Sequence, residues 1–104
     1  MKQFIIIAYD ATDEKAFERR MAARDAHTQI INKLRAEGKV LCGSAILDDS
    51  EKMIGSVVIT NFASRADFDA YLKTEPYVVN KVWEKVTVLP GKLGPSFNDL
   101  LKAA

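Results

Sequence analysis

The sequence predicts an α+β fold with the element order β-α-β-β-α-β. Three observations carry that prediction. Four short runs are rich in β-branched and aromatic residues and too short for helices, two longer segments repeat apolar residues at helical spacing, and Gly, Pro and capping residues separate them. Phe4 to Tyr9 is the first strand, closed by Asp10. Thr12 stands where an N-cap belongs, Asp13 and Glu14 place negative charge at the positive end of the helix dipole, and Gly38 supplies a stop, so a helix is expected from about Asp13 to Glu37.

Lys39 to Leu47 and Ile54 to Phe62 read as a β-hairpin around the polar loop Asp48, Asp49, Ser50, Glu51 and Lys52. Ser64, with Asp67 three residues on, opens a second helix in which Phe68, Tyr71 and Leu72 share a face. That helix ends near Thr74, because Pro76 disfavours helical geometry at Glu75, and Pro76 suits the first turn of a short helix through Lys81. Val82 to Leu89 is the fourth strand, stopped by Pro90 and Gly91, and Ser96 to Lys102 can add a last helical turn. The order is that of the ferredoxin-like, split-βαβ arrangement: an antiparallel sheet with both helices on one face.

At 104 residues, 48% hydrophobic and 28% charged, the chain has the size and composition of one globular domain, residues 1–104, with a core over 3–90 and a tail over 91–104. A net charge of +1 provides no basic field for nucleic acid or an anionic membrane, so a small molecule or another protein is the expected partner. The apolar stretch Phe4 to Ala8 is too short for a membrane span and lacks the features of a secretory signal. A single cysteine, Cys42, cannot close an internal disulfide, and no clustered Cys or His offers metal-ligand spacing; both fit the cytoplasm. Cys42 itself is expected to be a small buried hydrophobe.

The first strand is apolar on both sides, Phe4, Ile6 and Ala8 alternating with Ile5, Ile7 and Tyr9, and the third sets Val57 and Ile59 against Val58. Two helices cover only one face. The other is expected to meet a second copy of the sheet, giving a homodimer.

The first helix carries the functional signal. Phe17, Arg20, Arg24, His27, Ile31 and Leu34 follow a three-then-four spacing and form a stripe bordered by Ala16, Ala23 and Ile30, while Glu18, Asp25, Gln29 and Lys33 lie opposite. Three stripe positions thus hold cationic or ionisable groups where Leu or Ile belongs. Burying them costs several kcal/mol, of order 3–5, unless each is paired or faces a cleft. The arginines suit an anionic ligand such as a carboxylate or enolate, and histidine is the side chain whose ordinary pKa lies near neutrality, fit to move a proton. The structural alternatives are that Arg20 snorkels past the core edge and that Arg24 holds an ion pair with Asp10 or Glu75. Asp10, at the end of the first strand, is either the carboxylate that orients His27 or a turn residue. Ser56 lacks nucleophile surroundings and is read as a hydrogen-bonding group toward ligand or backbone; Tyr9 and Tyr77 either line the pocket or pack, and Phe62 and Trp83 are core or dimer contacts.

An ordered set of residues gives a family resemblance: Tyr9 and Asp10 at the end of the first strand; Arg20-x-x-x-Arg24-x-x-His27; Leu34, Gly38, Leu41 and Gly43; Gly55-Ser56; Ser64; and Glu75-Pro76-Tyr77. With this set, from Phe4 to Pro90, the chain resembles the YciI-related family of small dimeric α/β-barrel proteins. The resemblance implies a ferredoxin-like subunit paired through its sheet, and a pocket holding a histidine beside an acid. Two positions depart from the family pattern: Glu75 stands where aspartate is usual, and Gly43-Ser44 where Gly-Pro is usual. Dehydrohalogenation of a hydroxylated aromatic occurs in the family, and related barrels include muconolactone isomerase and cofactor-free monooxygenases.

The expectation is therefore a cofactor-independent lyase or isomerase. His27 is the general acid/base, Asp10 or Glu75 orients it, and Arg20, Arg24, Ser56 and Tyr77 bind a small anionic substrate; no metal and no cofactor are called for. The alternatives are a non-catalytic ligand-binding or accessory module and, more remotely, haem binding through His27.

Overall fold

The β-rich runs become strands, and the two central ones present an apolar row to the helices. In the computed structural model, which describes residues 1–101, these are β1 (Lys2–Asp10), β2 (Val40–Leu47), β3 (Met53–Phe62) and β4 (Trp83–Gly91). They form one antiparallel sheet in the order β2-β3-β1-β4, with α1 (Ala16–Ala36), α2 (Arg65–Thr74) and the short α3 (Pro76–Val79) in the connections. The ferredoxin-like βαββαβ order read from the sequence is the one observed. A 3₁₀ segment, Pro95–Leu101, interrupted at Phe97, follows β4; the last residue of the expected tail helix, Lys102, lies outside the described residues.

Register explains which side chains are buried. Ile6 faces Val58 and Val88, and Ala8 faces Ser56 and Val86, so Phe4, Ile6 and Ala8 lie on the helix side with Val58, Thr60 and Phe62. That side carries the core, with Val40, Phe68, Tyr71, Tyr77, Val82 and Trp83 packed against it; Phe62 and Trp83 are core residues. Phe68 is fully buried, its ring 4.7 Å from Phe4 and 5.9 Å from Phe62. The reverse face has Ile5 opposite Ile59 and Leu89, and Ile7 opposite Val57, with Tyr9 and Leu89 exposed. It is an apolar sheet face that α1 and α2 leave uncovered, with Leu93 and Phe97 of the tail beside Ile5 and Ile59.

Among the helix ends, the start of α1 differs from the expectation. The expected N-cap Thr12 does not cap α1, which starts after Lys15 with no side-chain cap. Asp13 takes over the turn instead: it accepts from the Lys15 amide at 3.2 Å and forks both oxygens onto Arg19 at 2.7 Å. The Arg19 guanidinium holds the Asp13 carboxyl down at about 2. The stop at Gly38 is as expected, with φ of 76° and amides of Gly38 and Lys39 closing onto Arg35 and Leu34 carbonyls. Ser64 caps α2 through the Asp67 amide at 3.1 Å. Among the described residues no helix is long and apolar enough to cross a membrane.

Candidate functional site

The side of α1 that packs on the sheet is Ala16, Arg20, Ala23, His27, Ile30, Ile31 and Leu34. Phe17 and Arg24 lie outside it, exposed, which corrects their place in the expected stripe: a 3.6-residue turn carries strict three-then-four spacing around the axis. Two of the three flagged groups, Arg20 and His27, do face inward.

Glu75 sits between α2 and α3, its backbone extended at ψ of 122° by the following proline, and its side chain is fully buried. A buried carboxylate is tolerable only when donors surround it. Here the Tyr71 hydroxyl donates to Oε2 at 2.5 Å, the Tyr77 amide donates to Oε1 at 3.2 Å, and His27 Nδ1 lies 2.5 Å from Oε1. Burial and the adjacent carboxylate push the Tyr71 phenol far up, so Tyr71 stays a donor. With Glu75 as the acceptor, His27 donates through Nδ1–H, and in the neutral imidazole the lone pair then lies on Nε2. His27 is further fixed by stacking on Tyr77, ring centres 4.0 Å apart and 10° from parallel.

Asp10 is not the partner of His27. Both its oxygens accept from Arg20 Nη1 at 3.0 Å, and the two side chains are almost wholly buried. Burial raises the Asp10 pKa above the ordinary carboxylate value, opposed by its hydrogen bonds and charge attraction to Arg20. Arg20 Nη2 donates to Ser56 Oγ at 3.1 Å, and the Trp83 indole reaches the same oxygen at 3.2 Å across the small side of Ala8. Arg20 also lies 4.9 Å from the centre of the Tyr77 ring. Burial raises the Tyr77 phenol, while Arg20 and Arg24 pull it the other way. Arg24 is exposed and in no ion pair among the described residues: Asp10 is taken by Arg20, and Glu75 by His27 and Tyr71.

A cleft of about 250 Å³ opens beside these groups, lined by Arg20, His27, Ile31, Ser56 and the small β2 residues Gly43, Ser44 and Ala45. A roomier hollow of about 350 Å³ lies beyond Asp10, against Asp13, Glu14, Asp48 and Lys52, and His27 is not in its lining. Among the described residues there is no metal-binding cluster. Cys42 is exposed, contrary to expectation, because it falls on the helix-free face opposite Ile59. Tyr71 is the site residue that sequence reasoning passed over; its position four residues before Glu75 was the available signal.

Residues 1–92 match the model of the YCII-related domain. The chain belongs to this family. Over 95 residues it is 32% identical to protein YciI of Escherichia coli O6:H1, covering 86% of this chain and 95% of that protein. Protein YciI of Shigella flexneri matches to the same extent, 32% over 95 residues with 86% and 95% covered. In fold, this YCII-related protein resembles the 5-chloro-2-hydroxyhydroquinone dehydrochlorinase of Burkholderia phenoliruptrix AC1100, solved with 2,5-dihydroxybenzoquinone, at a TM-score of 0.75 and 20% identity over 90% of this chain and 97% of that one. It also resembles a dimeric ferredoxin-like protein of unknown function from Jannaschia sp. CCS1, at a TM-score of 0.55 and 15% identity over 89% and 100% of the two chains.

Proposed function

We propose that this YCII-related protein is a cofactor-independent acid/base catalyst, a lyase or isomerase acting on a small anionic metabolite of about one ring. The observation that carries the proposal is the His27–Glu75 pair at 2.5 Å, on a cleft whose volume of about 250 Å³ suits such a molecule. Nε2 removes a proton beside a carbonyl or phenol, Glu75 stabilises the resulting imidazolium, and the electron pair of the broken bond either expels a leaving group such as chloride, the proton then passing to water, or shifts to another carbon that takes the proton back from His27. The pairing supports this: Arg20 is matched by Asp10, and the proton gained on His27 is matched by Glu75, so the cleft gains no unpaired charge beyond the anion it forms. The dehydrochlorinase of similar fold, with its hydroxylated quinone ligand, supports the same class of substrate. A tetrapyrrole exceeds this cleft, so haem is not carried further.

In this reading the protein is a cytoplasmic homodimer joined through the Ile5, Ile7, Val57 and Ile59 face, an assembly that the Jannaschia protein's dimeric state supports. The test is chloride release from 5-chloro-2-hydroxyhydroquinone, together with solvent-deuterium uptake into a panel of cyclic hydroxyketones followed by NMR. Turnover by the natural chain and a loss of about a hundredfold or more in His27→Gln, with unchanged melting, is expected. Saturable binding without either reaction assigns the protein to the ligand-binding modules instead, and undiminished turnover in His27→Gln rejects the base.

A further inference from the structure

Beside the cleft there are more donors than acceptors. Ser56 Oγ receives the Arg20 Nη2–H at 3.1 Å and the Trp83 Nε1–H at 3.2 Å. Guanidinium and indole nitrogens only donate, and a hydroxyl oxygen has two lone pairs, so both are occupied and Ser56 can act further only by giving its own proton. Among the described residues nothing accepts that proton. Arg20 Nε is likewise buried with no acceptor among the described residues, although Asp10 holds Nη1 and Ser56 holds Nη2. Arg20 and Ser56 are 3% and 4% exposed and both line the cleft with His27. Buried donors are seldom left unmet in folded proteins.

We infer that the Ser56 O–H and the Arg20 Nε–H are a donor pair for an anionic oxygen of the ligand, an oxygen that carries no proton of its own. The inference rests on the reading that the His27 cleft binds substrate, and it assigns Ser56 a direction: it selects acceptor-only groups, because it has no lone pair left to receive a ligand's proton. A phenol bound there has one place to put its proton, the free nitrogen of His27, so the donor pair and the base act on the same group from two sides. Trp83 and Asp10 act through others, Trp83 by filling a Ser56 lone pair and Asp10 by fixing the guanidinium plane.

The probe is 4-nitrophenol, coloured as its anion, with 4-nitroanisole as the neutral shape match and 4-nitrobenzoate as the carboxylate arm, titrated above the ionisation of the phenol. The natural chain is expected to bind the phenolate well ahead of the ether, and Ser56→Ala to lose about 10- to 100-fold of the phenolate affinity with the ether unchanged. Ser56→Cys, which keeps a weaker donor, is expected to fall between and carries the comparison if the Ala variant melts early. Nitrobenzoate bound in place of phenolate with the same Ser56 dependence supports the donor pair and identifies the oxyanion as a carboxylate. Loss of turnover in His27→Gln reports the base, and loss of the preference for phenolate over the ether in Ser56→Ala reports the donor pair, so failure of the one and failure of the other are separable. Equal binding of phenolate and ether, equal affinity in Ser56→Ala, or no saturable binding of either anion overturns the inference.

Discussion

Glu75 has no exposed surface, yet three groups turn donors toward it, and one of them, Tyr71, has no other polar role. Removing that hydroxyl in Tyr71→Phe leaves the carboxylate one donor short and is expected to cost about 1.5–3 kcal/mol in urea unfolding. A pH dependence accompanies it. The Tyr71 pKa is raised in the folded chain, so its contribution is fully present below the unfolded value of about 10 and is lost as pH climbs above it. Between about pH 10 and the folded value the natural chain therefore sheds about 1.4 kcal/mol per pH unit on account of this group. Tyr71→Phe is expected to flatten that alkaline slope by about one proton, and an unchanged slope counts against the raised pKa. As the chain holds one histidine, its imidazole NMR signals report the site directly. The pairing of His27 with an acid was legible in the sequence, but the choice between Asp10 and Glu75 was not, because it depends on which carboxylate Arg20 claims first.

At the scale of the element, the strands and the Ser64 cap follow from local chemistry, and Ser64→Ala is expected to lower stability by about 1 kcal/mol, read from urea midpoints. The start of α1 did not follow: Thr12 is a good cap by composition, but Asp13 wins the turn because Arg19, one and a half turns on, returns to fork its carboxylate. The stripe on α1 was legible to within one residue's rotation, which is why Arg20 and His27 were placed inward and Arg24 wrongly with them. At Gly55 the β1 backbone leaves no room for a side chain. A Cβ there meets the Ala8 carbonyl oxygen at 2.4 Å, backbone that cannot step aside, so Gly55→Ala is expected to cost about 1–3 kcal/mol or more, and to disturb the neighbouring Ser56.

For the whole molecule, the decisive feature is the sheet face opposite α1 and α2. Ile5, Ile7, Val57 and Ile59 form a contiguous apolar row, with Phe97 and Leu93 of the tail beside a hollow of about 250 Å³ near Ile5 and Ile59. Charge placed in that row is expected to prevent pairing: the natural chain is expected to sediment as a dimer and Ile7→Lys as a monomer, with the helix-side core intact by circular dichroism. A dimer that survives the lysine means the pairing uses another surface. The two-sided apolar pattern of β1 and β3 was readable from alternation alone, since side chains in a strand take opposite faces at every step.

Period and punctuation in the sequence were enough for the element order and for the presence of ionisable groups on an inward helix face, because these depend on contacts within a few residues along the chain. Which groups meet depended on the tertiary structure alone. Arg20 and Ser56 are 36 residues apart, and His27 and Glu75 are 48 apart, so only the folded register decides that Asp10 goes to Arg20, Glu75 to His27, and two donors are left over for a ligand.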